Sequence, residues 1–402
     1  MTTTNGHTNG HSVRKLNFGA GPAQLPYELL ENVNDEFLNY HGAGANIMEL
    51  SHRSSTFAKV IQDAEQDIRE ILSIPESYAV LFLQGGATAQ FSAIPLHFLN
   101  LKPSQTADYL VTGYWSEKAA KEAEKFGKVN WVVPKESKYQ GNDSGEKRMF
   151  FLAGHNNLYL AGVPTEASWK LSADPSYFYY CANETIHGIE VDDIPAVVPK
   201  DVPIVCDMSS NFLTRPFDIT KFSVVFASAQ KNFGISGVVL VIIRKDLVGK
   251  NTNKSIPLIL DYKIQIDNGS MYNTPPTFAI YIASKMFAWI KQQGGLKAIN
   301  ERSDEKSSLV YQTIEQSNGF YVNFVEKKYR SRTNIPFRIV TSGVPDEKLE
   351  TLFIKEAIQS NMIELKGHRA VGGIRVSLYN GISVEEAKKL VNFMSTFQTN
   401  NS

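Results

Sequence analysis

Cysteine is nearly absent from this chain. Cys181 and Cys206 are the only two among 402 residues, and each sits in a short apolar run. That excludes a disulfide scaffold and fits buried free thiols in a reducing compartment. There is no CxxC pair and no Cys/His spacing of the kind that holds zinc. An excess of one charge is lacking too, since Lys plus Arg and Asp plus Glu both number 41. No global field draws such a chain to nucleic acid or to an anionic membrane, so any anion it binds must be held by a local cluster. No run approaches the roughly 18 apolar residues of a membrane span. The opening MTTTNGHTNGHS has no apolar segment of the secretory kind. Also missing are the G-x-G-x-x-G fingerprint of a dinucleotide fold and the Lys-Ser/Thr of a P-loop. These absences leave a soluble, cytoplasmic protein that binds neither nucleic acid nor membrane, with residues 1–12 expected to be a disordered tail.

What is present is a regular alternation of short apolar runs and amphipathic stretches, the pattern of an α/β sheet fed by crossover helices. Strands are expected at Tyr78–Leu83, Tyr109–Thr112, Val129–Val133, Tyr177–Cys181, Ile204–Cys206, Ser223–Ala227 and Val238–Ile243. They are rich in Val, Ile, Tyr and Phe without polar alternation, as strands covered on both faces are. Helices are expected at Ser54–Leu72, Ala89–Phe98, Trp115–Phe126 and Phe278–Gln292, and the polar stretch Lys135–Lys147 reads as a surface loop. The pattern changes after Gly294-Gly295. A helix over Leu296–Ser317 is followed by strand-like pieces at Phe320–Phe324, Ile335–Val340 and Ile374–Ser377, with helices at Asp346–Ser360 and Val384–Gln398. The expected organisation is a large domain over 13–295 with a mostly parallel sheet and a small α+β domain over 296–402. The first residues of the large domain are expected to pack as an arm on the small one.

Several candidate residues fall at the carboxyl ends of those strands, where open α/β sheets bind ligands. Asp207 ends VPIVCD, and Lys231 follows the run SVVFASAQ. Burial there lowers a lysine's pKa and frees its amine to condense with a carbonyl. A nearby buried aspartate is what keeps a pyridoxal ring nitrogen protonated. In LFLQGGATAQF, Gly85 and Gly86 allow a tight turn that aims the amides of Ala87 and Thr88 at a phosphate from a helix N-terminus. Trp115, in GYWS, is placed to stack on a flat ring, and Thr185, in CANET, to bond its phenolic oxygen. A strand-to-helix turn, a packed tryptophan and a capping threonine are the plainer readings of each one taken singly.

Together the segments NFGAGPAQLP, MELSHRS, GYWSEKA, CANETIHGIE, SAQKN, YNTPPTFAIY and GHRAVGGIRVSLYN resemble the phosphoserine aminotransferases, a family of class V aminotransferases. The resemblance implies a pyridoxal-phosphate-dependent transferase of fold type I, a homodimer with shared active sites. It implies reversible amino transfer between glutamate and 3-phosphohydroxypyruvate, giving O-phosphoserine and 2-oxoglutarate. By this similarity Lys231 carries the cofactor, Asp207 partners its ring nitrogen, Trp115 stacks on the ring and Thr185 contacts the phenolic oxygen. Ala87, Thr88 and Gln230 contact its phosphate, and Asn273 and Thr274 reach it from the other subunit. The chain departs from the family at Ala87-Thr88, where many relatives carry glycine and arginine.

A substrate with a carboxylate and a phosphate needs concentrated cations despite the zero net charge. His52-Arg53, His368-Arg369 and Arg375 supply them, arginine's planar fork being suited to either anion. Arg375 is assigned the α-carboxylate, and His52, Arg53, His368 and Arg369 the phosphate or the distal carboxylate of glutamate. Arg330 and Arg332 are read as solvated surface. Two other readings stand beside this one: an aminotransferase of unphosphorylated substrates, such as serine–pyruvate or alanine–glyoxylate, and a non-catalytic scaffold on the same fold.

Overall fold

The structure, a computed structural model, describes residues 14–133, 161–250 and 253–402. The expected tail at 1–12 and the polar stretch Lys135–Lys147 lie outside the described residues. The apolar runs form β1 (Tyr78–Leu83), β2 (Thr106–Leu110), β3 (Lys128–Trp131), β4 (Phe178–Cys181), β5 (Ile204–Asp207), β6 (Val224–Ser228) and β7 (Val239–Arg244). They pair into one sheet in the order β1-β7-β6-β5-β4-β2-β3. All neighbours are parallel except β7, which is antiparallel to both β1 and β6. Only residues 229–238 separate β6 from β7. A parallel crossover needs about a dozen residues or more, so the chain turns straight back.

Helices α1 (Ser55–Leu72), α2 (Gly86–Phe98), α3 (Tyr114–Ala123), α4 (Ala229–Asn232) and α5 (Thr277–Gln292) belong to this unit. Phe57, Ile61, Phe287 and Ile290 of α1 and α5 pack with Val80, Phe82, Tyr180 and Cys206 on one face of the sheet. Phe91, Ile94, Ala119 and Ala120 of α2 and α3 pack with Leu81, Tyr179 and Val205 on the other. Cover on both faces explains why these strands read as unbroken apolar runs.

Gly294 and Gly295 take left-handed backbone at φ 92° and 71° and separate α5 from α6 (Gly295–Gln316). A distinct apolar cluster follows, with Val310, Phe337, Phe353, Ile374 and Met394 among its members. It is built on strands β8 (Tyr321–Val322), β9 (Asn334–Thr341), β10 (Val344–Pro345) and β11 (Ile374–Ser377) and on helices α7 (Glu347–Gln359) and α8 (Val384–Asn401). Leu16–Asn17 pairs in parallel with Met362–Ile363, and Phe18 enters this third cluster. The segment after it then returns over the large sheet, where the Ala23 amide donates to the Gln230 carbonyl at 2.9 Å.

Candidate functional site

Because β1, β2, β4, β5 and β6 run the same way, the turns after them meet along one edge of the sheet. There a cavity of about 260 Å³ brings Lys231 and Asp207 together with Ala87, Thr88, Trp115, Thr185 and Gln230. Lys231 Nζ donates to Thr185 Oγ1 at 2.8 Å and lies 5.7 Å from the centroid of the Trp115 ring. Burial pushes the Lys231 ammonium below the usual lysine range, opposed by the Asp207 carboxylate and reinforced by Arg375. Asp207 is 3% exposed, and its Oδ1 accepts the Ser209 amide at 2.8 Å. Burial raises its pKa, and Lys231 opposes that rise. Each group therefore moves toward neutrality, as desolvation requires, while the other holds its charge in place.

Gly21, in GAGP, has a reason for being glycine. It sits at φ 124°, and an added Cβ would stand 3.4 Å from Lys231 Cγ. At the turn after β1, Gly85 and Gly86 take φ 86° and 59°, and a Cβ on Gly85 would stand 2.5 Å from the Ala89 side chain. Between the two expected amides the structure makes a distinction. The Ala87 amide donates to Ser228 Oγ at 3.0 Å, so that hydroxyl, at the end of β6, already occupies it.

Arg375 lies on β11, paired with Pro336 of β9. Its guanidinium makes no hydrogen bond or salt bridge among the described residues, and burial lowers its pKa, opposed by Tyr379 and Glu364. The His368 ring lies 5.5 Å from that of Tyr114, next to Trp115, and burial together with Arg375 and Arg369 lowers its pKa. Arg369 is exposed. His52, partly exposed, and Arg53, exposed, sit in the turn before α1 and do not line the cavity. Asn273 and Thr274 are outside it as well, the Thr274 carbonyl being held by Gln84 Nε2 at 2.9 Å. The surface reading of Arg330 and Arg332 is corrected. Arg332 binds the buried Glu190 at 3.1 Å and Asp304 at 3.2 Å, and Arg330 pairs with Glu315. Their positions were illegible because their partners lie far away in sequence. Burial raises the pKa of both cysteine thiols, which disfavours the reactive thiolate.

Sequence reasoning missed Glu184. Its fully buried carboxylate accepts the Trp115 amide at 3.0 Å, the Ser116 amide at 2.9 Å and Ser116 Oγ at 2.6 Å. It thus satisfies the first amides of α3 from another strand and fixes Trp115 over the cavity. The acid beside Thr185 in CANET was the available signal. Glu184→Ala leaves the Trp115 and Ser116 amides without this partner, and is expected to cost about 1–3 kcal/mol. A thermal melt and the near-ultraviolet dichroism of Trp115 check this; unchanged values of both would show that α3 is held by other contacts.

A buried lysine amine beside a buried carboxylate, at the carboxyl edge of a mainly parallel sheet with one reversed strand, is the arrangement of a fold type I aminotransferase. The family profile "Aminotransferase class-V" matches residues 15–147 and 155–390. A phosphoserine aminotransferase of Drosophila melanogaster is 46% identical over 96% of this chain and 99% of its own. The solved phosphoserine aminotransferase of Bacillus circulans subsp. alkalophilus superposes with a TM-score of 0.86 at 39% identity, covering 97% of this chain and 100% of that one. A pyridoxal-phosphate-bound phosphoserine aminotransferase from Trichomonas vaginalis gives 0.84 at 40% identity, over 95% and 100%. The chain belongs to the class V aminotransferases and, among them, to the phosphoserine aminotransferase family.

The residues present fit pyridoxal 5'-phosphate. The cavity offers an amine for its aldehyde, a carboxylate for its ring nitrogen, and a glycine turn free of side chains for its phosphate. Trp115 Nε1 is buried without a hydrogen-bond partner among the described residues, an unsatisfied donor that a bound polar group can satisfy. No helix among the described residues is long and apolar enough to cross a membrane.

Proposed function

We propose that the chain catalyses reversible amino transfer between glutamate and 3-phosphohydroxypyruvate, yielding O-phosphoserine and 2-oxoglutarate, with pyridoxal 5'-phosphate as cofactor. One observation carries this reading. The amine of Lys231, held by Thr185 beside Asp207, feels the charge of the Arg375 guanidinium, which makes no ion pair among the described residues. Such a site lacks only an α-carboxylate to neutralise it.

When bound, the cofactor supplies an electron sink for the charge left at the substrate α-carbon. Lys231 and Thr185, Asp207, Trp115, and the turn at Ala87–Thr88 with Gln230 and Ser228 would hold it. Lys231 Nζ, when free, would be the base that takes the proton from the substrate α-carbon. Arg375 fixes the carboxylate so that this carbon faces the amine. Asp207 keeps its negative charge next to the ring nitrogen and so retains the proton there. His368 and Arg369 from the small domain, and His52 and Arg53, receive the phosphate or the distal carboxylate of glutamate.

In the single chain His52, Arg53, Asn273 and Thr274 stand outside the cavity, and we assign them to the active site of a second copy in a homodimer. Exposed apolar side chains in the same loops support this, Leu38 at 84%, Met48 at 49% and Tyr272 at 42%. Zero net charge and the near absence of cysteine support a cytoplasmic location.

The test is a coupled assay of glutamate with 3-phosphohydroxypyruvate at varied concentrations of both. Parallel initial-rate lines are expected, because the amino group leaves with one substrate before the next binds. Intersecting lines would overturn the scheme. Arg53→Ala and Arg369→Ala should each lower kcat/KM for the phosphorylated substrate by about 10²-fold, as loss of a charge-assisted contact does, and spare unphosphorylated oxo acids. Equal losses on both would favour an enzyme of the serine–pyruvate or alanine–glyoxylate kind.

A further inference from the structure

Lys306, in the middle of α6, is 3% exposed and has no carboxylate within ion-pair distance among the described residues. Its Nζ instead donates to three backbone carbonyls, Leu378 at 3.1 Å, Tyr379 at 2.9 Å and Ile382 at 2.7 Å. Three donors at these distances are what an ammonium has and what a neutral amine lacks. Burial and the nearby Arg302 push its pKa down to about 7, and Glu386 of α8 opposes the shift. Arg302 and Glu386 also line, with Lys306, a cavity of about 320 Å³. An apolar side chain of the same length would avoid the cost of desolvating a charge, so packing alone does not account for a lysine here.

The three carbonyls belong to one strap, Leu378–Ile382, which leaves β11 two residues after Arg375 and ends at the Ser383 cap of α8. The strap reaches the large domain through Asn380. Its amide donates to Asn232 Oδ1 at 3.3 Å, and its Nδ2 donates to the Leu213 carbonyl at 3.0 Å and the Asn232 carbonyl at 3.4 Å. Asn232 follows Lys231 in α4 and donates in turn to the Ser210 carbonyl at 3.0 Å. Other contacts restrain the strap's neighbours. Tyr379 Oη donates to the Ala20 carbonyl at 2.9 Å, and Gln24 Nε2 to the Gly381 carbonyl at 3.0 Å. At Gly381 a Cβ would lie 1.9 Å from the Gln24 carbonyl oxygen, so the strap is packed against the segment that crosses Lys231.

We propose that Lys306 is a positioning residue for the reactive lysine: its ammonium gathers the strap's carbonyls, and the strap, through Asn380 and Asn232, holds the one-turn helix that presents Lys231. A helix of four residues cannot hold itself, and this one is fixed by its ends. Arg375 rides on the same strand from which the strap leaves. Lys306 thereby sets the reactive amine and the carboxylate-binding guanidinium from one point in the small domain. The proposal takes Lys231 as the catalytic amine, as above, but its test is made without substrate or cofactor.

The measurement is amide hydrogen exchange of the cofactor-free protein at Ala229 and Phe233, whose amides donate to Val238 at 3.1 Å and Ala229 at 3.2 Å. Lys306→Met should speed exchange at both by about tenfold, the effect of losing one buried hydrogen bond. Asn380→Ala should do the same, and the double variant should go no further than the larger single one, since both act through one link. Faster exchange confined to the strap, or effects that add, would show Lys306 to be a local prop and would overturn the proposal while leaving the aminotransferase reading intact. If Lys306→Met does not fold, Lys306→Gln, which keeps two donors, replaces it in the cycle. Should both fail to fold, unchanged exchange at Ala229 and Phe233 in Asn380→Ala still overturns it. In the cofactor-loaded enzyme kcat should fall for both half-reactions by the same factor, with KM nearly unchanged.

Discussion

Lys231→Ala is expected to abolish amino transfer, lowering kcat by about 10⁴-fold, the upper end of what a positioned general base contributes. On the proposed roles, the substitution removes both the cofactor's anchor and the base at the substrate α-carbon, while Thr185, its partner at 2.8 Å, keeps its place at the end of the sheet. Fold and cofactor site should therefore survive. The variant should still bind pyridoxal 5'-phosphate, but borohydride should no longer fix it to any peptide, whereas in the parent chain it should mark the peptide containing Lys231. Residual turnover above one part in about 10³ would mean that another group acts as base. The pH dependence of the parent follows in sign. A base acts in its neutral form, so the rate rises with pH as the lysine loses its proton. Burial lowers that pKa, so the rise falls at lower pH than for an exposed lysine.

The parts of this site that were legible in the sequence are those fixed by local pattern. Unbroken apolar runs marked the strands, and in a parallel sheet the residues just past them, Asp207, Trp115 and Lys231, share one edge whatever the details of packing. Illegible were the features set by a partner far along the chain. The reversed β7 follows from the length of its return, which a run of apolar residues does not announce. Ser228 falls just past the expected strand Ser223–Ala227, and nothing local says that its hydroxyl takes the Ala87 amide rather than leaving it free. Glu184 stands in CANET as an ordinary acid, and only the fold reveals the two amides of α3 that it satisfies. Lys306 lies in a helix whose sequence suggests a solvated lysine. Its burial depends on a strap more than seventy residues away. The arginines proposed to bind anions divide in a similar way: Arg375 is placed by its own strand and Arg53 by an exposed turn, and neither lines the cavity of the single chain.

Asp207→Asn is expected to be the second most damaging change, lowering kcat by about 10²–10³-fold, the usual size for removal of a charge preorganised toward the reacting group. The amide nearly matches the carboxylate in shape and can still accept the Ser209 amide that now reaches Oδ1 at 2.8 Å, so stability should change little. What is lost is the negative charge that supports the charge on Lys231 and that is proposed to hold a proton on the ring nitrogen. Without Asp207 the pKa of Lys231 should fall further, because the carboxylate is the largest influence opposing its desolvation. The visible absorbance of the bound cofactor reports that titration, and its midpoint should move to lower pH in the variant. In the parent, burial raises the pKa of Asp207, so protonation removes its charge at a higher pH than for an exposed aspartate. Activity should accordingly fall on the acid side as the carboxylate is neutralised, and Asp207→Asn should lack that acid limb within its low residual rate. An acid limb that persists unchanged in Asp207→Asn would assign it to another group, with Glu184 the first candidate because burial raises its pKa and its carboxyl bonds the Trp115 and Ser116 amides.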